Sequence, residues 1–218
     1  YELAVIVRDG LRRMCEEQED VFYYLTVMNE NYAHAALPSG AEAGILRGMH
    51  RVRGAGLGDV QLLGSGTILR ECLAAAEILE REHKVAANVW SVTSWTELRW
   101  DGMLASGTAS AAVREARALA EERSPPLQGG VSAKAGGVVQ QSWIDRCLAS
   151  TRGPIIAASD YVSAVADLVR PWVPAGRPYI ALGTDGFGRS DTRASLRRFF
   201  GVSRDDIVAA ALREHGRS

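Results

Sequence analysis

Short apolar runs separated by helix-forming stretches set the tightest limit on how this chain can fold. Val60-Gln61-Leu62-Leu63, Val85 to Val92, Pro154-Ile155-Ile156-Ala157-Ala158 and Tyr179-Ile180-Ala181-Leu182 have the length and apolar content of buried strands. Gly64-Ser65-Gly66 turns the first run into a helix from Thr67 to about His83. Ser159 or Asp160 can cap another helix that runs to about Trp172. The last run leads through a glycine-rich loop into a helix over 192–200, and a final helix spans Ser203 to about Glu214. Strand and helix in this rhythm predict an α/β fold, an open and mostly parallel sheet with helices on both faces.

The remaining segments are less regular. Residues 1–18 carry Leu3, Val7, Leu11 and Met14 at helical spacing, opposite Arg8, Arg12, Arg13 and Glu16. The acidic turn Glu16-Glu17-Gln18-Glu19-Asp20 leads into Val21-Phe22-Tyr23-Tyr24-Leu25-Thr26-Val27, whose β-branched and aromatic content predicts a strand buried on both faces. Residues 41–51 read as a short helix, and Gly54-Ala55-Gly56-Leu57-Gly58 as a turn. The stretch 103–152 breaks the rhythm: Ala109 to Arg123 is an amphipathic helix stopped by Ser124-Pro125-Pro126, and residues 128–137 have little to bury and read as mobile.

At 218 residues with 47% hydrophobic and 23% charged side chains, the chain can build one good core, or one domain plus part of another. A formal net charge of −1 argues against nucleic acid or an anionic membrane surface as partner. No apolar run approaches the roughly 20 residues that span a bilayer. Cys15, Cys72 and Cys147 are widely spaced, which predicts reduced, buried thiols in a cytoplasmic protein. The chain opens on Tyr1 and not Met, which points to residues upstream.

Several patterns bear on chemistry. Gly64-Ser65-Gly66-Thr67 follows a strand and opens a helix, yet Leu69 stands where the third glycine of a dinucleotide fingerprint belongs. A tight turn accounts for it, and the bare amides of the helix start leave a small-anion site as the alternative. His34, His50, His83 and His215 show no metal-ligand spacing, and no Gly-x-Ser-x-Gly elbow exists. Trp90, Trp95 and Trp100 recur every five residues at a strand end and its following loop, where Trp95 and Trp100 suit a subunit interface. The loop Gly183-Thr184-Asp185-Gly186-Phe187-Gly188-Arg189-Ser190-Asp191 concentrates glycines, acids and an arginine. Asp185 and Asp191 would repel a phosphate, and Ser190 or Asp191 can cap the next helix. A structured or interface loop built on Asp185, Arg189, Ser190 and Asp191 is therefore preferred to a catalytic one.

Taken in order, Glu2-Leu3-Ala4-Val5-Ile6-Val7-Arg8-Asp9-Gly10-Leu11, Tyr23 through Tyr32, Gln61 through Arg70, Ser91 through Leu98, Ala158-Ser159-Asp160-Tyr161 and Leu182 through Asp191 resemble the carboxy-terminal part of the homodimeric bacterial pyruvate dehydrogenases. These are thiamine-diphosphate-dependent decarboxylating components of the transketolase superfamily. The resemblance implies that residues 1–36 close a pyrimidine-binding middle domain, that 37–54 link it onward, and that 55–218 form a transketolase-type carboxy-terminal domain with an atypical insertion at 103–152. It implies thiamine diphosphate and magnesium held by domains outside these residues, since no Gly-Asp-Gly…Asn metal motif is present. It also implies a homo- or hetero-oligomer, with a lipoyl-bearing acyltransferase among its partners. The divergence around Arg99-Trp100-Asp101-Gly102 points to a specialised paralogue or a split subunit. The expected role is assembly and dimerisation, set against an autonomous anion-binding module at Gly64–Gly66 or a small enzyme working from the 183–191 loop.

Overall fold

Chain order alone sets most of the architecture. In a computed structural model, which describes residues 1–123 and 141–216, α1 (Glu2–Leu11) runs into a π turn at Arg12–Glu16. After an irregular arm come α2 (Glu42–Leu46), β1 (Met49–Arg53), β2 (Val60–Gly64), α3 (Ile68–Ile78) with a π turn at Leu79–His83, and β3 (Ala87–Val92). Then follow α4 (Trp95–Ala105), α5 (Ala111–Arg123), α6 (Trp143–Ala149), β4 (Ile155–Ala158), α7 (Ser163–Asp167), β5 (Tyr179–Leu182), α8 (Arg193–Phe199) and α9 (Arg204–His215). The five strands lie in the order β1-β3-β2-β4-β5; β1 is antiparallel to β3 and the other pairs are parallel.

Alternation along the strands builds a core on each face. Val60, Leu62, Val89 and Ile156 meet Cys72, Ala75, Ala76 and Leu79 of α3 and Ile207 and Ala211 of α9. Leu63, Trp90, Ile155 and Tyr179 meet Leu98 of α4, Ile144 and Leu148 of α6 and Ala166 of α7. Helices thus cover both faces of an open sheet, as the rhythm of the sequence predicts. Gln61 is fully buried, but its amide is satisfied: Oε1 accepts from Trp90 Nε1 at 3.1 Å and from Asn88 Nδ2 at 3.2 Å, and Nε2 donates to Leu57 O at 3.0 Å.

Five expectations need correction. Residues 37–54 are not a plain linker, because they contain α2 and β1, and β1 is an edge strand of the sheet. Gly48, at φ +99°, stops the helix and turns the chain into β1, so the expected helix over 41–51 covers only its first half. The stretch 103–152 is partly core: α4 extends to Ala105, and α6 buries Ile144 and Leu148. The predicted mobile segment 128–137 lies outside the described residues. Of the cysteines, all free, Cys72 is buried while Cys15 is exposed.

The fifth correction is the largest. Val21–Val27 is not a strand and is not buried on two faces. Its inner side rests on α1, where the Tyr23 ring packs on Gly10 and its hydroxyl donates to Asp9 Oδ2 at 2.9 Å. The outer side is open, with Phe22 88%, Tyr24 84% and Val27 68% exposed. A strand forms only against a neighbour that completes its ladder, and none of the described strands pairs with it.

The arm continues across the carboxyl ends of the parallel strands, where ion pairs hold it. Arg197 of α8 donates to Glu30 Oε2 at 2.8 Å and to Glu71 Oε1 at 3.1 Å. Arg204 reaches Glu71 through Nε at 3.0 Å, Nη2 at 3.1 Å and its backbone N–H at 3.0 Å. Burial works to raise the Glu71 pKa. The Arg204 hydrogen bonds and the charges of Arg204 and Arg197 outweigh it and hold the carboxyl below its ordinary value.

Two predictions follow from this packing. A Cβ at Gly64 would lie 2.7 Å from Leu69 Cα and 2.9 Å from Cys72 Sγ, so Gly64→Ala should cost about 2 kcal/mol in urea unfolding. Gly188→Ala, with nothing near its Cβ position, is the control that should leave the midpoint unchanged. Glu71→Gln should lose about 2 kcal/mol at neutral pH. A lowered folded pKa gives stability that is present above the unfolded value and lost as pH falls through the folded one. The gap between wild type and Glu71→Gln should therefore close only below the ordinary 4.5, as urea titrations across acid pH would register.

Candidate functional site

The sheet has one topological switch point. From β2 the chain crosses to β3 on one side, while β4 lies on the other. Ligands of open α/β sheets bind outside the carboxyl ends of the strands at such a point. Here that crevice is built from Gly64-Ser65-Gly66-Thr67 after β2, Ser159-Asp160-Tyr161 after β4, and Gly183-Thr184-Asp185 after β5.

Hydrogen bonds knit the three turns together. Ser65 Oγ donates to Ser159 Oγ at 2.9 Å, both side chains being buried, and Ser159 Oγ accepts the N–H of Tyr161 at 3.1 Å. Thr184 donates its hydroxyl to Asp160 O at 2.6 Å and its N–H to Tyr161 O at 2.8 Å. Asp185 Oδ1 accepts the Ser163 N–H at 3.0 Å, and Asp191 Oδ1 accepts the Thr192 N–H at 2.6 Å. Thr192 caps α8 by accepting from Ser195 N at 3.3 Å, so the cap falls one residue beyond the expected Ser190 or Asp191. Both aspartates of the 183–191 loop are thus acceptors that hold the backbone in place.

The possible anion turn faces an acid. A Cβ at Gly66 would lie 3.5 Å from Asp160 Oδ1. Burial raises the Asp160 pKa, against the lowering effect of its own backbone N–H and the charge of Arg197. The crevice is also crossed by the arm: Thr26 Oγ1 lies 2.8 Å from the Tyr161 hydroxyl, Arg193 donates to Asn29 Oδ1 at 2.7 Å, and Arg70 stacks 4.4 Å above the Tyr32 ring. Asp160, Tyr161, Arg197 and Glu30 were not singled out as site residues by their local pattern. Only the common position at adjacent strand ends, together with the arm, brings them into one place.

The remaining expected site residues separate. Trp95 opens α4 with its ring 4% exposed in the core, so it has no surface to offer a partner; Ser94 caps the helix by accepting from Glu97 N. Trp100 lies on another side of that helix, 43% exposed, with the Arg117 guanidinium 5.4 Å from its ring. Arg189 stacks on Phe199 at 4.1 Å, and Ser190 is exposed. Among the described residues no three His, Cys, Asp or Glu side chains converge as metal ligands, and no helix is long and apolar enough to cross a membrane.

Comparison with known proteins agrees with this layout. Residues 1–35 match the pyruvate dehydrogenase E1 component middle domain, and residues 48–203 match the transketolase-like TK C-terminal domain. The pyruvate dehydrogenase E1 component of Pseudomonas aeruginosa is 48% identical over 97% of this chain and 22% of its own length. That of Cupriavidus necator is 46% identical over 98% and 22%, and that of Escherichia coli 42% identical over 98% and 22%. The chain spans about a fifth of the length of the curated relatives it matches. A transketolase from Leishmania mexicana superposes with a TM-score of 0.47 at 17% identity, over 82% of this chain and 20% of that one. On the match over residues 48–203, the chain belongs to the transketolase-like carboxy-terminal domain family.

Proposed function

We propose that this chain serves as the carboxy-terminal region or subunit of a thiamine-diphosphate-dependent 2-oxo acid dehydrogenase of the pyruvate dehydrogenase type, acting in assembly and dimerisation. One observation carries the reading. The arm Val21–Met28 has the composition of a buried strand, is covered on one side by α1, and leaves Phe22, Tyr24, Val27 and Met28 exposed. Such a segment completes a sheet supplied by other domains, and its match to a middle domain supports that role.

In this reading residues 1–36 close the pyrimidine-binding domain, and the diphosphate with its magnesium is held by protein outside this chain. Bound there, the cofactor would supply a thiazolium carbon nucleophile and an electron sink for loss of carbon dioxide from the carboxylate of a 2-oxo acid. This chain contributes the docking of the arm: the Glu30–Arg197–Glu71–Arg204 chain of ion pairs fixes where the arm leaves the sheet. The partners are the cofactor-binding domains, a second copy of the assembled enzyme and a lipoyl-bearing acyltransferase, in the cytoplasm.

Purified alone, the chain should not decarboxylate pyruvate. Combined with the preceding cofactor-binding domains it should co-purify and restore decarboxylation. Phe22→Asp with Tyr24→Asp should reduce co-purification at least tenfold, because two charges then replace the apolar outer side of the arm. Carbon dioxide release by the isolated chain would sink the reading.

A further inference from the structure

The surface where the 183–191 loop meets α8 has a character that the assembly reading does not use. A cavity of about 430 Å³ is lined by Arg189, Asp191, Ser195, Leu196, Arg198 and Phe199. Arg189 lies against the Phe199 ring, and neither Arg189 nor Arg198 makes an ion pair with a described residue. Asp191 is the lone carboxylate of the wall, and it is engaged by the Thr192 N–H. Two guanidiniums against one carboxylate leave the cavity net positive. The aromatic surface is open as well: Phe199 is 58% exposed, and Phe187, two residues before Arg189, is 95% exposed.

Arginine and aromatic side chains together are the residue types that dominate binding energy at protein interfaces. An unpaired guanidinium presents a planar fork matched to a carboxylate, and stacking on Phe199 holds the Arg189 fork in a defined plane. We propose that this cavity docks an acidic segment of a partner protein, with a carboxylate seated between Arg189 and Arg198 and a neighbouring apolar side chain laid against Phe199. The charge of the wall selects the acid. The exposed ring distinguishes a peptide from a free anion, which gains nothing from an apolar platform.

The test uses the full chain and two labelled, end-capped pentapeptides, Glu-Leu-Glu-Leu-Glu and Lys-Leu-Lys-Leu-Lys, read by fluorescence anisotropy. The acidic peptide should bind, more weakly as salt is added, and the basic one should not. Arg198→Ala and Phe199→Ala should each weaken binding about tenfold. Circular dichroism should stay unchanged, since both side chains are exposed. Should Phe199→Ala disturb the fold, Arg189→Ala with Arg198→Ala provides the second reading of the same site. Equal binding by the basic peptide, or full affinity in the double arginine variant, overturns the proposal. So does displacement of the peptide by an equal concentration of inorganic phosphate, which would make this a free-anion site. Self-association in sedimentation that Arg198→Ala abolishes would assign the face to a second copy of the chain, and also overturns it.

Discussion

The buried carboxylate of Glu71 is the joint on which the relation of arm to sheet depends. It projects from α3, receives the side chain and backbone of Arg204 at the start of α9, and shares Arg197 of α8 with Glu30 of the arm. A buried carboxylate without partners would be costly, and the bidentate guanidinium of Arg204 removes most of that cost. Because Arg197 bridges two acids, placing Glu71 also places Glu30. One charge in the core of the domain thereby sets the path of a segment some forty residues upstream in sequence. Hydrophobic contact could not do this with the same directionality, since apolar packing is tolerant of sliding and a forked ion pair is not.

The arm also shows how a strand sequence behaves without a sheet. Val21–Val27 has strong β character, but hydrogen bonding to a neighbour is what converts propensity into a strand. With α1 on one side only, the segment keeps the half of its packing that the chain supplies, through Tyr23 to Gly10, Asp9 and Arg13. The other half stays open. The crevice differs in that Ser65, Ser159, Thr184 and Asp185 are already hydrogen-bonded to each other or to backbone within the chain.

What could be read from the sequence follows the range of each force. The strands β2, β3, β4 and β5 were legible because each buries an apolar run, and so were the helices α3, α8 and α9 between and after them, although α3 has no side-chain cap and the cap of α8 lies one residue beyond the expected one. The edge strand β1 was not: Met49-His50-Arg51-Val52-Arg53 is interrupted by a histidine and two arginines, and its strand character comes from pairing with β3. The helix α4 was hidden because its tryptophans suggested a loop, although Ser94 three residues before Glu97 is a cap signature. At the site, the glycine turns were legible as turns. The ties between Ser65 and Ser159, Asp160 and Gly66, and Glu30 and Arg197 join residues far apart in sequence, which no local pattern encodes.

The 183–191 loop changes meaning once its bonds are known. Read by composition, its aspartates outweigh its arginine and argue against a bound phosphate. In the fold both aspartates stay exposed but are engaged by backbone amides, at Ser163 and Thr192, where they fix the loop and the start of α8. Arg189 and Arg198 face outward beside Phe187 and Phe199, both of which are exposed. The charge that dominates a loop's sequence need not dominate the cavity beside it, because Arg198 arrives from α8 and short acidic side chains bond their own backbone while long basic ones extend beyond it.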